Sequence, residues 1–264
     1  MFPVFTPEER ESVLNFILSV CKENDRIVSL IQVGSGAIGY HDARSDLDFV
    51  AALDKNESMS EVMDYLHGKI GEKYKPTYFK QVEAAHLQVY LLPNLLEIDI
   101  GFGGYEGAAA RKPAFKVLYD RTGVVEEKMT ASRAWMDNVL FGDKLKKDMA
   151  LAADSAWAHL MHAAAAIDRG NYFRFLGETE LVRRMYIDLL GDRHYLESGA
   201  NKETDALPEK EKQALKSTYT VSENKQEQWK ALMNLTELLY EELQDTQTPV
   251  TKEMLKAYYA EIRK

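Results

Sequence analysis

The sequence predicts an α+β protein: a mixed-sheet α/β domain over residues 1–125, then an all-helical bundle over residues 126–264. Three observations predict it. Short apolar, β-branched runs bounded by turn residues recur through the first half. Two stretches with helical spacing are interleaved with them. Beyond Gly123 proline nearly disappears, and apolar residues recur at helical spacing to the C-terminus. A chain of 264 residues with 45% hydrophobic residues can fill one large core or two ordinary ones.

The first element is a helix. Thr6 is its N-cap, Pro7 takes the first helical position and Glu9 completes a capping box. Val13, Phe16, Ile17 and Val20 follow at helical spacing, and the helix is expected to end near Asn24-Asp25. Cys21 is the sole cysteine, which excludes an internal disulfide, and its place in this helix marks it as a buried small hydrophobe. A strand over Ile27–Val33 comes next, then a turn opened by Gly34-Ser35-Gly36 and Gly39, then a strand over residues 46–53. Ser58 or Ser60 caps a second helix with Val62, Tyr65, Leu66 and Ile70 on its inner face, ended by Gly71 and Pro76.

Residues 77–82 and 87–92 are short strands, and Pro93-Asn94 is a turn. In the stretch 95–102, Leu96, Ile98 and Ile100 alternate with Glu97 and Asp99, as in a strand with one buried face. Gly101, Gly103 and Gly104 are expected to break it. A last strand covers 115–119, and Asp120-Arg121-Thr122-Gly123 is a turn. Helices are predicted over 126–141 and 144–168, continuous or kinked at Gly142, and over 172–190, 209–218, 225–244 and 251–262. The polar stretch 198–207 reads as a loop. Tyr172, Phe173, Phe175, Trp157 and Trp229 are expected to serve in packing.

A formal net charge of -9 argues against broad nucleic-acid binding, which normally shows as a basic patch. No apolar run approaches the roughly 20 residues that span a membrane. The start, MFPVFTPEERE, has no basic segment followed by an apolar one, as a secretory signal would. The expectation is a soluble cytoplasmic protein without nucleic-acid or membrane partners.

Chemistry concentrates in VGSGAIGYHDARSDLDFV, residues 33–50. Asp46 and Asp48 alternate with Leu47 and Phe49, so on a strand both carboxylates share a face while the apolar pair points inward. Two adjacent carboxylates repel unless a cation lies between them, and Mg²⁺ takes carboxylate oxygens together with substrate phosphates. Gly34, Ser35 and Gly36 let backbone N–H groups approach phosphate oxygens, because glycine has no Cβ. Arg44, in the same turn, is a further candidate phosphate contact. The turn lacks the Gly-Lys-Ser/Thr ending of a Walker A loop, so a P-loop ATPase is excluded. His41 reads as a surface residue. His159 and His162 lie three apart on a predicted helix with no further ligand nearby in sequence, which reads as ordinary helix surface rather than a zinc site.

A Gly-Ser turn after a strand, followed by Asp-Leu-Asp on the next strand, resembles the signature of the DNA polymerase β-like nucleotidyltransferase superfamily. The resemblance covers roughly the first half of the chain in its motifs. It implies that Asp46 and Asp48 bridge two Mg²⁺ ions, that the Gly34-Ser35 turn holds the triphosphate of ATP or another NTP, and that Asp99 supplies the third carboxylate. Joined to a helical second half, the pattern is similar to small-molecule nucleotidyltransferases, including the aminoglycoside and lincosamide adenylyltransferases that inactivate antibiotics. That implies transfer of a nucleoside monophosphate, AMP foremost, to a hydroxyl of a small acceptor with release of pyrophosphate. The stretch GNYFRFLGETELVRRMYIDLL, residues 170–190, is similar to a helix of those enzymes, and would give Glu178 or Glu180 a role in orienting or deprotonating the acceptor. Glu97 shares the face of Asp99 and is the other candidate for general base or second ligand. Two further readings share the motif: a protein-AMPylating antitoxin-like enzyme, normally the small domain alone, and a non-catalytic nucleotide-binding protein, which has no need of a self-repelling carboxylate cluster.

Overall fold

The computed structural model of the chain describes residues 4–40, 42–111 and 114–263; His41 lies outside them. The chain divides into two compact units, Met1–Met136 and Asp137–Lys264. The first carries a mixed six-stranded sheet and the second is helical, so the architecture is α+β as the sequence predicts.

In the first unit the strands are β1 (Ile27–Val33), β2 (Leu47–Leu53), β3 (Tyr78–Val82), β4 (Leu87–Leu91), β5 (Glu97–Gly104) and β6 (Phe115–Asp120). Their order across the sheet is β3-β4-β5-β2-β1-β6. β2 and β5 run parallel, and the other neighbours run antiparallel. Helices α1 (Pro7–Glu23) and α2 (Met59–Tyr74) cover one face. Their inner rows, Val13, Ile17 and Val20 on one and Val62, Leu66 and Ile70 on the other, are buried with Leu47, Phe49, Ile98 and Ile100. Each such side chain contributes about 1.5–3 kcal/mol. Cys21 is buried in this core, and burial pushes its thiol up to about 12. On the opposite face, Val28, Ile31 and Ala52 pack against Val125 and Met129 of α3 (Val125–Asp137).

The α1 start is capped as expected: the Thr6 hydroxyl accepts from Glu9 N, and the Glu9 carboxylate accepts from Thr6 N. Asp120 organises the start of α3, with Oδ1 accepting from Thr122 and Oδ2 from Val125 N at 2.8 Å. Four expectations are corrected. Strand β5 is not broken at Gly101 but continues to Gly104, because Gly101, Gly103 and Gly104 stay in register with Val50, Ala52 and Leu53. The α2 helix passes Gly71 and stops where Lys75 turns left-handed at φ 47, just before Pro76. Ser58 stands at the N-cap position as expected, but its hydroxyl makes no cap bond to the helix and donates to Asp54 Oδ1 instead. Phe173 is 84% exposed, whereas Phe175 is buried. Side chains two apart on a helix point about 200° away from each other, so the first turn buries only one of them.

The second unit holds α4 (Asp143–Asp168), α5 (Tyr172–His194), α6 (Glu209–Lys216), α7 (Lys225–Glu242) and α8 (Lys252–Ile262). A π-helical turn, Asn138–Gly142, precedes α4 where a kink at Gly142 is expected from sequence. Small residues on α4, including Ala152, Ala156 and Ala163, let α5 approach closely around Phe175, Val182 and Tyr186. Trp229 and Tyr259 close the core from α7 and α8. Lys144 donates to Asp148 Oδ2 at 2.6 Å and to Asp192 Oδ1 at 2.9 Å, joining the start of α4 to α5. Two short helical turns, Gly199–Asn201 and Thr204–Ala206, occupy the predicted loop. Among the described residues no helix is long and apolar enough to cross a membrane.

Candidate active site

Asp48 and Asp99 are direct partners across the parallel β2–β5 pair. Alternation along each strand places Leu47, Phe49, Ile98 and Ile100 in the core and leaves both carboxylates half-buried on the other face. Adjacent strands lie about 4.8 Å apart, so the two acids are held as neighbours by backbone pairing alone. Next along that face of β5 come Gly101 and Gly103, which add no side chain beside the acids. Glycine inside a strand often marks a place where a ligand approaches the backbone. Asp46 lies one residue ahead of β2 and is exposed, so the strand begins one residue later than expected.

The turn after β1 meets this acid pair. Gly34–Ile38 is a short 3₁₀ helix, and Gly34 has φ +63. A Cβ on Gly34 would stand 2.3 Å from Asp48 Oδ2, so the turn backbone presses against the carboxylate. Gly36 is likewise closed in: a Cβ there would stand 2.2 Å from Gln32 Nε2. Ser35 is half-buried, and its carbonyl accepts from Tyr40 N at 2.9 Å, which curls the turn back on itself. The first N–H groups of any helical turn have no partner within it. In this turn those groups start at Gly34, the residue against Asp48.

A buried arginine that sequence reading missed holds the rest of the loop. Arg10 of α1 is 5% exposed. Its guanidinium lies 3.7 Å from the centre of the Tyr40 ring and donates to the carbonyls of Asp42 (3.2 Å) and Ser45 (3.0 Å). Gln32, buried on β1, donates to the Tyr40 hydroxyl. Burial raises the Tyr40 hydroxyl above its ordinary value and the Asp48 charge adds to the rise, while Arg10 and Gln32 pull it down. The signal in the sequence was a cation three residues before Val13, on the face that α1 buries. Asp42 accepts from Arg44 N and the Ser45 hydroxyl, and these bonds hold its carboxyl below the usual range. The Arg44 guanidinium donates to the Phe5 carbonyl at 3.2 Å.

Of the three other carboxylates singled out in the sequence, Glu97 is exposed and opens β5, two residues before Asp99, and Glu180 is exposed on α5 and accepts from Arg183 Nη1. Glu178 belongs to the second unit. There its Oε2 lies 2.8 Å from His159 Nδ1, and its Oε1 accepts from Arg174 Nε at 3.4 Å. Burial alone would raise its carboxyl, but these bonds and the charges of His162 and His159 hold it below its ordinary value. The pairing of the two histidines with Glu178 was invisible to linear spacing, because the third residue comes from the next helix.

Asp48 and Asp99 offer hard oxygen donors in register, with Asp46 close in sequence and a turn whose Gly34 position a Cβ would fill. That donor set suits Mg²⁺. No protein-family model matches the chain, and no curated protein matches it. Among solved structures it is similar to an aminoglycoside 6-adenyltransferase from Bacillus subtilis, at 14% identity and a TM-score of 0.35, over 96% of this chain and 98% of that one. The side chains described above, not this loose likeness, carry the functional reading.

Proposed function

We propose that the chain is a metal-dependent nucleotidyltransferase that moves a nucleoside monophosphate, AMP from ATP, to a hydroxyl of a small acceptor. The observation that carries this reading is the in-register pair Asp48–Asp99 with the Gly34 backbone against the Asp48 carboxylate. Asp46, Asp48 and Asp99 would hold two Mg²⁺ ions, which when bound supply charge stabilisation at the attacking and leaving oxygens.

The chain's own groups do the rest. Backbone N–H groups of Gly34, Ser35 and Gly36 and the Ser35 hydroxyl bind triphosphate oxygens and fix the α-phosphorus near the acids. Arg44 would add a phosphate contact by leaving the Phe5 carbonyl. Glu97, exposed on the carboxylate face, accepts the proton of the attacking hydroxyl. Arg10 keeps the loop before Asp46 in place through Tyr40 and two carbonyls. The net charge of -9 favours a cationic acceptor of the aminoglycoside kind, because negative potential raises the local concentration of cations.

The test is incubation with Mg²⁺, labelled ATP and a panel of aminoglycosides, lincosamides and proteins, following pyrophosphate release and the destination of the label. Label on a small hydroxylated acceptor is the expected result. Label on protein would move the reading to AMPylation. ATP binding without transfer to any acceptor would reduce the chain to a nucleotide-binding protein.

A further inference from the structure

We propose that His159, His162 and Glu178 form a binding site for a zinc-class transition-metal ion within the helical unit. His159 and His162 sit three residues apart on α4, so both side chains emerge on one face of the helix. Glu178 reaches that face from α5. One ligand atom from each of the three residues lies within 4.8 Å of the other two.

The separations fit a shared ion. Zn–N and Zn–O bonds are about 2.0–2.2 Å, so two ligands in a tetrahedral site stand about 3.3–3.6 Å apart. Nδ1 of His159 is 2.8 Å from one Glu178 oxygen, and Nδ1 of His162 is 3.7 Å from the other. The two distances end on different oxygens of one carboxylate and bracket the required one. Imidazole with one carboxylate is a donor set for zinc rather than for Mg²⁺ or Ca²⁺, which take oxygens. Three protein ligands leave a fourth position for water.

The electrostatics also suit a cation. Glu178 has only 16% of its side chain exposed and faces both rings, while His162 is 53% exposed and leaves the site open to solvent. Arg174, half exposed, contacts the Glu178 carboxylate and competes for it. An arriving ion would displace that guanidinium into solvent and take its place, and would replace the hydrogen bond between His159 and Glu178. The ion would then tie α4 to α5, whose packing forms much of the helical core.

The experiment titrates the untagged full chain with Co²⁺, follows visible d–d absorption, and then displaces Co²⁺ with Zn²⁺. One equivalent is expected to bind with the intense absorption of a four-coordinate site and to leave on addition of Zn²⁺. His162→Ala, at an exposed position, is expected to keep the fold by circular dichroism and weaken binding at least tenfold. Glu178→Gln is expected to do the same, whereas Arg174→Ala is expected to tighten binding. Unchanged affinity in both His162→Ala and Glu178→Gln would overturn the assignment, as would absence of the four-coordinate spectrum in the parent chain. Because the readout is metal binding, its outcome is independent of any nucleotidyl transfer.

Discussion

Gly34 and Asp48 are in contact across the turn that follows β1: a Cβ at position 34 would stand 2.3 Å from Asp48 Oδ2. Position 34 is also left-handed, at φ +63. Gly34→Ala therefore combines backbone strain with a clash against the carboxylate. We expect a loss of about 1–2 kcal/mol in urea unfolding. Relieving the clash displaces the acid by about 1 Å, which should also lower turnover by about 100-fold. Normal turnover in this variant would show that the turn does not position Asp48.

Asp48→Asn and Asp99→Asn keep side-chain shape and remove charge. Each should lower the rate of pyrophosphate release by at least about 10²–10³-fold. Neither side chain is in the core, so unfolding free energy should change by no more than about 1 kcal/mol. Near-normal turnover in either variant would remove that residue from the reacting centre.

Arg10 joins α1 to the loop that leads into Asp46 through two carbonyls and the Tyr40 ring. Arg10→Met should cost about 2–3 kcal/mol, since it leaves two acceptors unpaired and removes a buried cation–π contact. The Tyr40 hydroxyl should titrate higher still, because Arg10 is the charge that pulls it down. Spectrophotometric tyrosine titration of Arg10→Met against the parent, with Tyr40→Phe to identify the signal, checks this.

Asp192 is 4% exposed, and burial pushes its carboxyl up to about 6 despite the hydrogen bond from Lys144. Lys144 is more open to solvent and gains from both carboxylates, which raise its own value. A raised carboxyl means that the folded chain holds this proton more tightly than the unfolded chain between the ordinary value of 3.8 and about 6. Its contribution is then fully present below that window and lost as pH rises through it. Relative to Asp192→Asn, the parent should lose about 2–3 kcal/mol of stability between pH 4 and pH 7. Urea titrations of both proteins across this range measure the difference, and a flat difference would contradict the raised value.

Much of this architecture was legible in the chain because it follows from local periodicity. The Thr6-Pro7-Glu9 start and the Ile27–Val33 strand need only neighbouring residues to be specified. The alternation of Glu97 and Asp99 with isoleucines fixed which side of β5 faces the core. Gly101 and Gly103 misled, because their role in β5 depends on pairing with β2, some fifty residues earlier. Arg10 was missed for the same reason: its partners lie on a loop more than thirty residues away. Glu178 came forward only through family likeness, and no linear spacing links it to His159 on the preceding helix.

The parallel pairing of β2 with β5 has a consequence for how the chain folds. Shifting one strand by a single residue would turn Asp48 or Asp99 inward and push Leu47 or Ile98 out into water. Burying an unpaired carboxylate costs several kcal/mol, far more than a slipped ladder recovers. The acids therefore act as sentinels of register. A chain that pairs these strands wrongly is destabilised before it can settle, and only the correctly aligned sheet exposes both carboxylates together.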